Sequence, residues 1–233
     1  MLELKRLNSG YGRAQVLFDF ELTLAAGEVV ALLGRNGAGK TTALKSAIGL
    51  LPLFSGDVYF NRKKISALES YQIARLGLGY VPEDRRIFAD LTVMENLEAG
   101  RQAPREHAPH WTPEKLFQLF PNLGRMRERH GGRMSGGEQQ MLAIARSLMG
   151  NPSAILLDEP FEGLAPLIVE NVAATIRELK REGLSVLLCE QNLHFADLVS
   201  DRAYVIEKGQ VKYQGTMAQL AASPEIKRDY LAL

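Results

Sequence analysis

Residues 34–41 read Gly34-Arg35-Asn36-Gly37-Ala38-Gly39-Lys40-Thr41. This is the spacing G-x-x-x-x-G-K-[ST] of a loop that holds phosphate. Glycines let the backbone bend around an anion, so that successive N–H groups point inward. A helix starting at Lys40 presents its N-terminus to the same point. Lys40 is placed to neutralise β- and γ-phosphate oxygens, and Thr41 to offer a hydroxyl to Mg²⁺. A glycine turn before an ordinary helix would use the same residue types. The apolar run Val29–Leu33 before the loop and the helix after it favour the phosphate reading, because they supply the strand–loop–helix context it needs.

A second run, Ala154-Ile155-Leu156-Leu157-Asp158-Glu159-Pro160, ends in two adjacent acids. Successive side chains on a strand point opposite ways. At the strand's end the chain bends, and both acids can reach one nucleotide. Asp158 is expected to hold Mg²⁺ through water. Glu159 is expected to polarise the attacking water, a general-base role worth roughly 10²–10⁴ in rate. Two solvated acids would be the plainer reading were there no phosphate loop upstream.

A third run, Met134-Ser135-Gly136-Gly137-Glu138-Gln139-Gln140, leads into the helical Met141–Arg146. Ser135-x-x-Glu138 is a capping box, which any helix can carry. A capped start flanked by glycines also offers an anion free N–H groups and a positive dipole end. The two readings are compatible.

With these three runs together, the chain resembles the ATP-binding subunits of ABC transporters, from Tyr11 to about Gly215. Met134 stands where that family's signature has leucine. The resemblance implies an α/β P-loop NTPase ABC ATPase core with a parallel sheet, an antiparallel β subdomain and an inserted helical subdomain. It implies ATP and Mg²⁺ as cofactors. By position it places Tyr11 on adenine, with Val16 beside it. It places Gly34, Arg35, Asn36, Gly37, Ala38, Gly39, Lys40, Thr41 and Thr42 around the phosphates. Thr41, Glu83 and Asp158 fall to the metal, and Glu159, Lys40 and Gln191 to hydrolysis. Ser135, Gly136, Gly137 and Glu138 would bind the γ-phosphate held by another subunit, so the site is incomplete in one chain and implies a dimer.

Three positions depart from the commonest family pattern. Glu83, in Tyr80-Val81-Pro82-Glu83, stands where the loop between core and helical lobe usually has glutamine. Ala165, in Gly163-Leu164-Ala165-Pro166, replaces the usual D-loop aspartate. Gln191, in Cys189-Glu190-Gln191-Asn192, replaces the usual switch histidine, although its amide N–H can still reach a γ-phosphate. Together they resemble the second ATP-binding subunit of branched-chain (hydrophobic) amino acid importers. Urea and amide importers have close relatives of it, and Phe161-Glu162 is not the commonest choice there, so the substrate stays open. The resemblance implies two membrane-spanning permease subunits, a second ATP-binding subunit or a copy of this one, and indirectly a periplasmic binding protein. Glu83 and residues 84–130 are the expected surface toward the permease. A soluble ABC ATPase without a transporter is the alternative, but such proteins usually carry two cassettes or coiled-coil insertions. A non-hydrolysing regulator is a third reading, motivated by Gln191.

The elements that must position these residues follow from periodicity. One domain is expected over 1–233, with 1–83 and 151–233 as the nucleotide-binding core and 84–150 as the helical signature subdomain. Leu2, Leu4 and Leu7 begin a strand, Val16–Leu24 forms another, and Ala25–Glu28 turns into Val29–Leu33. Val29–Leu33, Ala154–Leu157 and Val186–Cys189 are continuous apolar runs, which fit strands buried on both faces. Helices are expected from Lys40 to Leu50, Thr92 to Ala99, Pro113 to Leu119, Gly136 to Leu148 and Ile168 to Arg181. The stretch Arg101–Pro113, with three prolines, His107, His110 and Trp111, reads as an irregular connection. Its histidines lack a nearby Cys or acid cluster, so a metal is not expected there.

Lys plus Arg is 28 and Asp plus Glu is 27, a net charge of +1 that gives no reason to expect a nucleic-acid partner. The single cysteine, Cys189, lies in an apolar run and reads as a buried small hydrophobe. No stretch approaches the ~20 apolar residues of a membrane span, and the start has no signal-peptide core. A cytoplasmic chain, peripheral on the inner face of the cell membrane, is the expectation.

Overall fold

The computed structural model describes residues 1–231. In chain order the elements are β1 (Leu2–Tyr11), β2 (Ala14–Leu24), β3 (Val29–Leu33), α1 (Lys40–Ala47), β4 (Leu53–Phe60), β5 (Lys63–Lys64), α2 (Ser70–Arg75) and β6 (Leu78–Val81). The helical insert follows with α3 (Val93–Gly100), α4 (Pro113–Leu119), α5 (Pro121–Gly124) and α6 (Gly136–Leu148). The chain then returns through β7 (Ala154–Asp158), α7 (Pro166–Arg181), β8 (Ser185–Glu190), α8 (Leu193–Asp197), β9 (Arg202–Glu207), β10 (Gln210–Thr216), α9 (Met217–Ala221) and α10 (Pro224–Ile226).

Two sheets organise the chain. One is antiparallel, in the order β2-β1-β4-β5. The other runs β10-β9-β3-β8-β7-β6 and is parallel except where β10 meets β9. Every residue of β3, β7 and β8 is buried. Their side chains divide with period two. Val29, Ala31, Leu33, Ile155, Leu157, Val186 and Leu188 face one core, shared with α6 and α7. Val30, Leu32, Leu156, Leu187 and Cys189 face the other, shared with α1 and the antiparallel sheet. The continuous apolar runs are thus central strands covered on both faces.

One helix boundary differs from the sequence expectation. Helix α1 ends at Ala47 rather than Leu50. Gly49 takes φ 72, where the left-handed turn ends the helix at little cost for a residue without Cβ. The connection from Arg101 to Thr112 is irregular, as expected, but it is tied down at several points. Trp111 is buried, and Lys115 Nζ sits 4.5 Å above its ring. The Asn151 side chain accepts from the Trp111 backbone N–H at 2.7 Å and donates to Gln102 O at 2.8 Å. Arg105 donates to carbonyls of Ala74, Arg75, Gly150 and Asn151. One guanidinium therefore ties the insert to α2 and to the loop after α6.

The insert carries its own organising polar group. Asn96, fully buried in α3, accepts from Phe88 N–H and donates to the carbonyls of Phe88, Leu91 and Thr92. It fixes the segment that leaves β6. Both α3 and α6 begin in reciprocal capping boxes, Thr92 with Glu95 and Ser135 with Glu138.

Candidate active site

The phosphate loop leaves the end of β3 and enters α1. Its glycines are dictated by space and by backbone. A Cβ on Gly34 would lie 2.6 Å from the Ile206 carbonyl oxygen, and Gly39 takes φ 114. Gly34 N–H donates to Glu190 O at 3.3 Å, which ties the loop to the end of β8. Lys40 folds back into the loop and is only 4% exposed. Its ammonium donates to Gly34 O at 2.9 Å and Arg35 O at 3.3 Å, and pairs with Glu159 Oε1 at 3.0 Å.

Asp158 closes β7 and is 1% exposed. Thr41 donates to its Oδ1 at 3.0 Å and Tyr80 to its Oδ2 at 3.1 Å. Burial pushes the Asp158 pKa up, and the two hydroxyls oppose that shift. Glu159 follows at φ 49, the sharp bend that lets consecutive acids face one site instead of opposite sides of the sheet. Beside them lies a cleft of about 380 Å³, lined by Tyr11, Val16, Asn36, Gly37, Gly39, Lys40, Thr41, Thr42, Glu83, Glu159 and Glu162.

That cleft gathers most of the residues singled out by sequence. Tyr11 is 48% exposed at its mouth, with Val16 beside it. Gly34, Arg35 and Ala38 do not line it, nor does Asp158, which accepts from Thr41 of the lining. Gln191 is exposed and does not line it. Ser135, Gly136, Gly137 and Glu138 do not line it either. Their helix start is formed and exposed at Ser135, with Arg85 against Gly136 and Ile168 against Gly137.

Three residues in or under the site were not assigned a role by sequence. Glu162 lines the cleft, and its hydrogen bond to the Glu159 side chain pushes its pKa up. Its spacing after Glu159 was visible, but not that the turn brings both carboxyls together. Tyr80 reaches Asp158 because it pairs in register with Leu156, two residues before the acid on the same strand face. Glu190, 3% exposed, accepts from Phe161 N–H at 3.4 Å.

The donor set fits a hard divalent cation. Asp158, Thr41 and Glu83 offer oxygens alone, the chemistry of Mg²⁺ rather than of zinc or copper. Among the described residues no group of three or more His, Cys, Asp or Glu could by itself cage a metal. Mg²⁺ takes one or two carboxylates and completes its shell with phosphate and water.

These features define a nucleotide-hydrolysing P-loop site, and the comparisons with known proteins agree. The family model described as ABC transporter matches residues 17–162, more than half of the chain. The chain belongs to the ABC transporter ATP-binding family, and it is an ATP-hydrolysing, nucleotide-binding subunit. It is 41% identical over 231 residues to the high-affinity branched-chain amino acid transport ATP-binding protein BraG of Pseudomonas aeruginosa, across 99% of each chain. It is 35% identical over 232 residues to the lipopolysaccharide export system ATP-binding protein LptB of Escherichia coli K12, across 99% of this chain and 96% of that one. A crystal structure of a nucleotide-free ATP-binding cassette from an ABC transporter overlays with TM-score 0.82 at 26% identity, covering 97% of this chain and 96% of that one. The α/β fold expected from sequence is the fold observed. Among the described residues no helix is long and apolar enough to cross a membrane.

Glu190 makes stability depend on pH in a stated direction. Burial pushes its pKa up to about 8, with the nearby Glu159 charge adding to the rise and backbone N–H groups opposing it. An unfolded glutamate loses its proton near pH 4.3. Between there and about pH 8 the folded chain holds a proton that the unfolded chain has lost. Stability must therefore fall as pH rises through that window. The thermal midpoint, followed by calorimetry, should drop between about pH 5 and about pH 8 and level off above that, and Glu190→Gln should flatten the slope. An unchanged slope in the variant would remove Glu190 as its source.

Proposed function

We propose that this chain energises an importer of branched-chain or other hydrophobic amino acids, working on Mg-ATP as one of a pair of ATP-binding subunits. The observation that carries the reading is its near full-length likeness to BraG at 41% identity. Glu83, Ala165 and Gln191 support it as a set, since they are the pattern that resembles this branch. The likeness to LptB motivates a second reading, an energiser of lipid export, and a urea or amide importer is a third.

The geometry of the cleft supports the following proposed residue roles. Tyr11 and Val16 take the adenine at the mouth of the cleft. The N–H groups of residues 34–42 and Lys40 take the phosphates. Thr41, Glu83 and Asp158 would hold Mg²⁺, which would supply positive charge against the phosphates. Glu159 accepts a proton from the attacking water. Gln191, which follows the Glu190 whose carbonyl accepts from Gly34 N–H, gives its amide N–H to the γ-phosphate, and the Ser135–Glu138 helix start, outside the cleft of its own chain, takes the γ-phosphate held by another subunit. Catalysis here is positioning and charge neutralisation far more than covalent chemistry.

Two permease subunits are the proposed membrane partners. The surface proposed for them is a groove between core and insert, lined by Leu50, Tyr71, Tyr80, Arg85, Phe88 and Arg146 among others. It exposes three large apolar side chains, Leu50, Tyr71 and Phe88, beside two arginines. The test is to purify the chain with its permease proteins, embed them in vesicles, and supply ATP inside and labelled leucine outside with the binding protein. ATP-dependent leucine uptake is expected. Uptake of urea instead, or ATP turnover that responds to neither solute, would overturn the amino-acid assignment while leaving the ATPase intact.

A further inference from the structure

Tyr80 lines the groove between core and insert and also hydrogen-bonds the acid that closes β7. Its ring packs against the core shared by α1 and the antiparallel sheet, and it lines the groove with Leu50, Tyr71, Phe88 and Arg146. Its hydroxyl donates to Asp158 Oδ2 at 3.1 Å. Burial, with the neighbouring Asp158 charge, pushes the phenol pKa well up, so it remains a donor.

The other carboxylate oxygen is held by Thr41 at 3.0 Å. Thr41 has a proposed duty to the metal, and a hydroxyl that gives a lone pair to a cation keeps its O–H to donate. Tyr80 has no such duty, because it is outside the cleft lining. It holds the second oxygen of the buried carboxylate from outside the cleft. Outer partners of this kind set the geometry of a metal-binding oxygen, and losing them typically costs roughly 10–100-fold in metal affinity.

We propose that Tyr80 is a positioning residue that fixes Asp158 for Mg²⁺ and passes the state of that carboxylate to the wall of the groove. The proposal rests on the reading of Asp158 as an Mg²⁺ site and of the groove as the permease surface. Mechanically it needs only one rigid ring, anchored at its hydroxyl and exposed to the groove along its body. A change in how Asp158 sits tilts the ring, and anything seated on the ring opposes the tilt.

The experiment compares the parent with Tyr80→Phe, which keeps the ring and removes the hydroxyl. ATP affinity is measured by isothermal titration in Mg²⁺ and again in EDTA. The advantage that Mg²⁺ gives should fall by roughly tenfold in the variant, while affinity in EDTA stays the same. A second readout uses Tyr71→Cys labelled with an environment-sensitive fluorophore on the groove wall. The label is selective, because Cys189 is fully buried. Its emission should shift on Mg-ATP in the Tyr80 background and not shift in the Tyr80→Phe background at saturating nucleotide. An undiminished Mg²⁺ advantage, or a label that still responds without the hydroxyl, overturns the proposal. So does loss of affinity in EDTA, which would make Tyr80 a general prop of the phosphate loop. If the parent itself gains nothing from Mg²⁺, the Mg-ATP reading fails first, and the two failures are distinguishable.

Discussion

Lys40→Ala should remove most of the affinity for ATP and with it the hydrolysis. The ammonium is nearly enclosed, with two loop carbonyls and Glu159 around it. In so dry a place a charge-assisted contact to phosphate is strong. Losing it should cost up to about 3 kcal/mol, which is roughly 100-fold in Kd. The carbonyls of Gly34 and Arg35 would also lose the ammonium that donates to them. The substitution leaves the loop's backbone reasons intact, because the crowding at Gly34 and the left-handed Gly39 do not involve the side chain. Titration with ATP, beside a thermal melt without nucleotide, checks it. Unchanged affinity in a folded protein would sink the phosphate-loop assignment.

The parts of this site legible in sequence are those whose contacts are local. The loop 34–41 is contiguous, and its neighbours β3 and α1 are adjacent in the chain. The helix cap Ser135–Glu138 closes on itself within four residues. Asp158 and Glu159 were readable because an apolar run ends in two acids. What could not be read is whatever depends on strand order. Nothing local says that β6 lies beside β7, and that placement alone brings Tyr80 to Asp158. Likewise β8 lies between β3 and β7, which lets Glu190 serve both the phosphate loop and the turn at Phe161. The end of α1 was misjudged for a different reason. Leu50 and Leu51 continue the apolar pattern, while Gly49 sets the backbone. Trp111 sat in a stretch that composition marks as a loop, yet it anchors the insert's core.

Glu159→Gln should bind ATP and turn it over very slowly. The amide has the shape of the carboxyl and can still touch a water, but it cannot accept a proton. Loss of a general base typically costs roughly 10²–10⁴ in rate. The structure adds an expectation about binding. Glu159 now occupies Lys40 at 3.0 Å, so the lysine must leave it to meet a phosphate. A neutral amide holds Lys40 less firmly, and ATP affinity should match the parent or exceed it. Asp158, Thr41 and the loop remain in place to bind the nucleotide. On the proposed shared site, binding without turnover traps the closed pair, with Ser135 and its glycines seated on the γ-phosphate of the opposite chain. Light scattering behind size exclusion should then give monomer without nucleotide and dimer with ATP, with the related ATP-binding subunit added if this chain pairs only with it. Turnover at the parent rate would remove Glu159 as the base. Tight ATP binding that never yields a dimer, with or without the related subunit, would refute the shared site for this protein, because the signature helix start would then have no phosphate to meet.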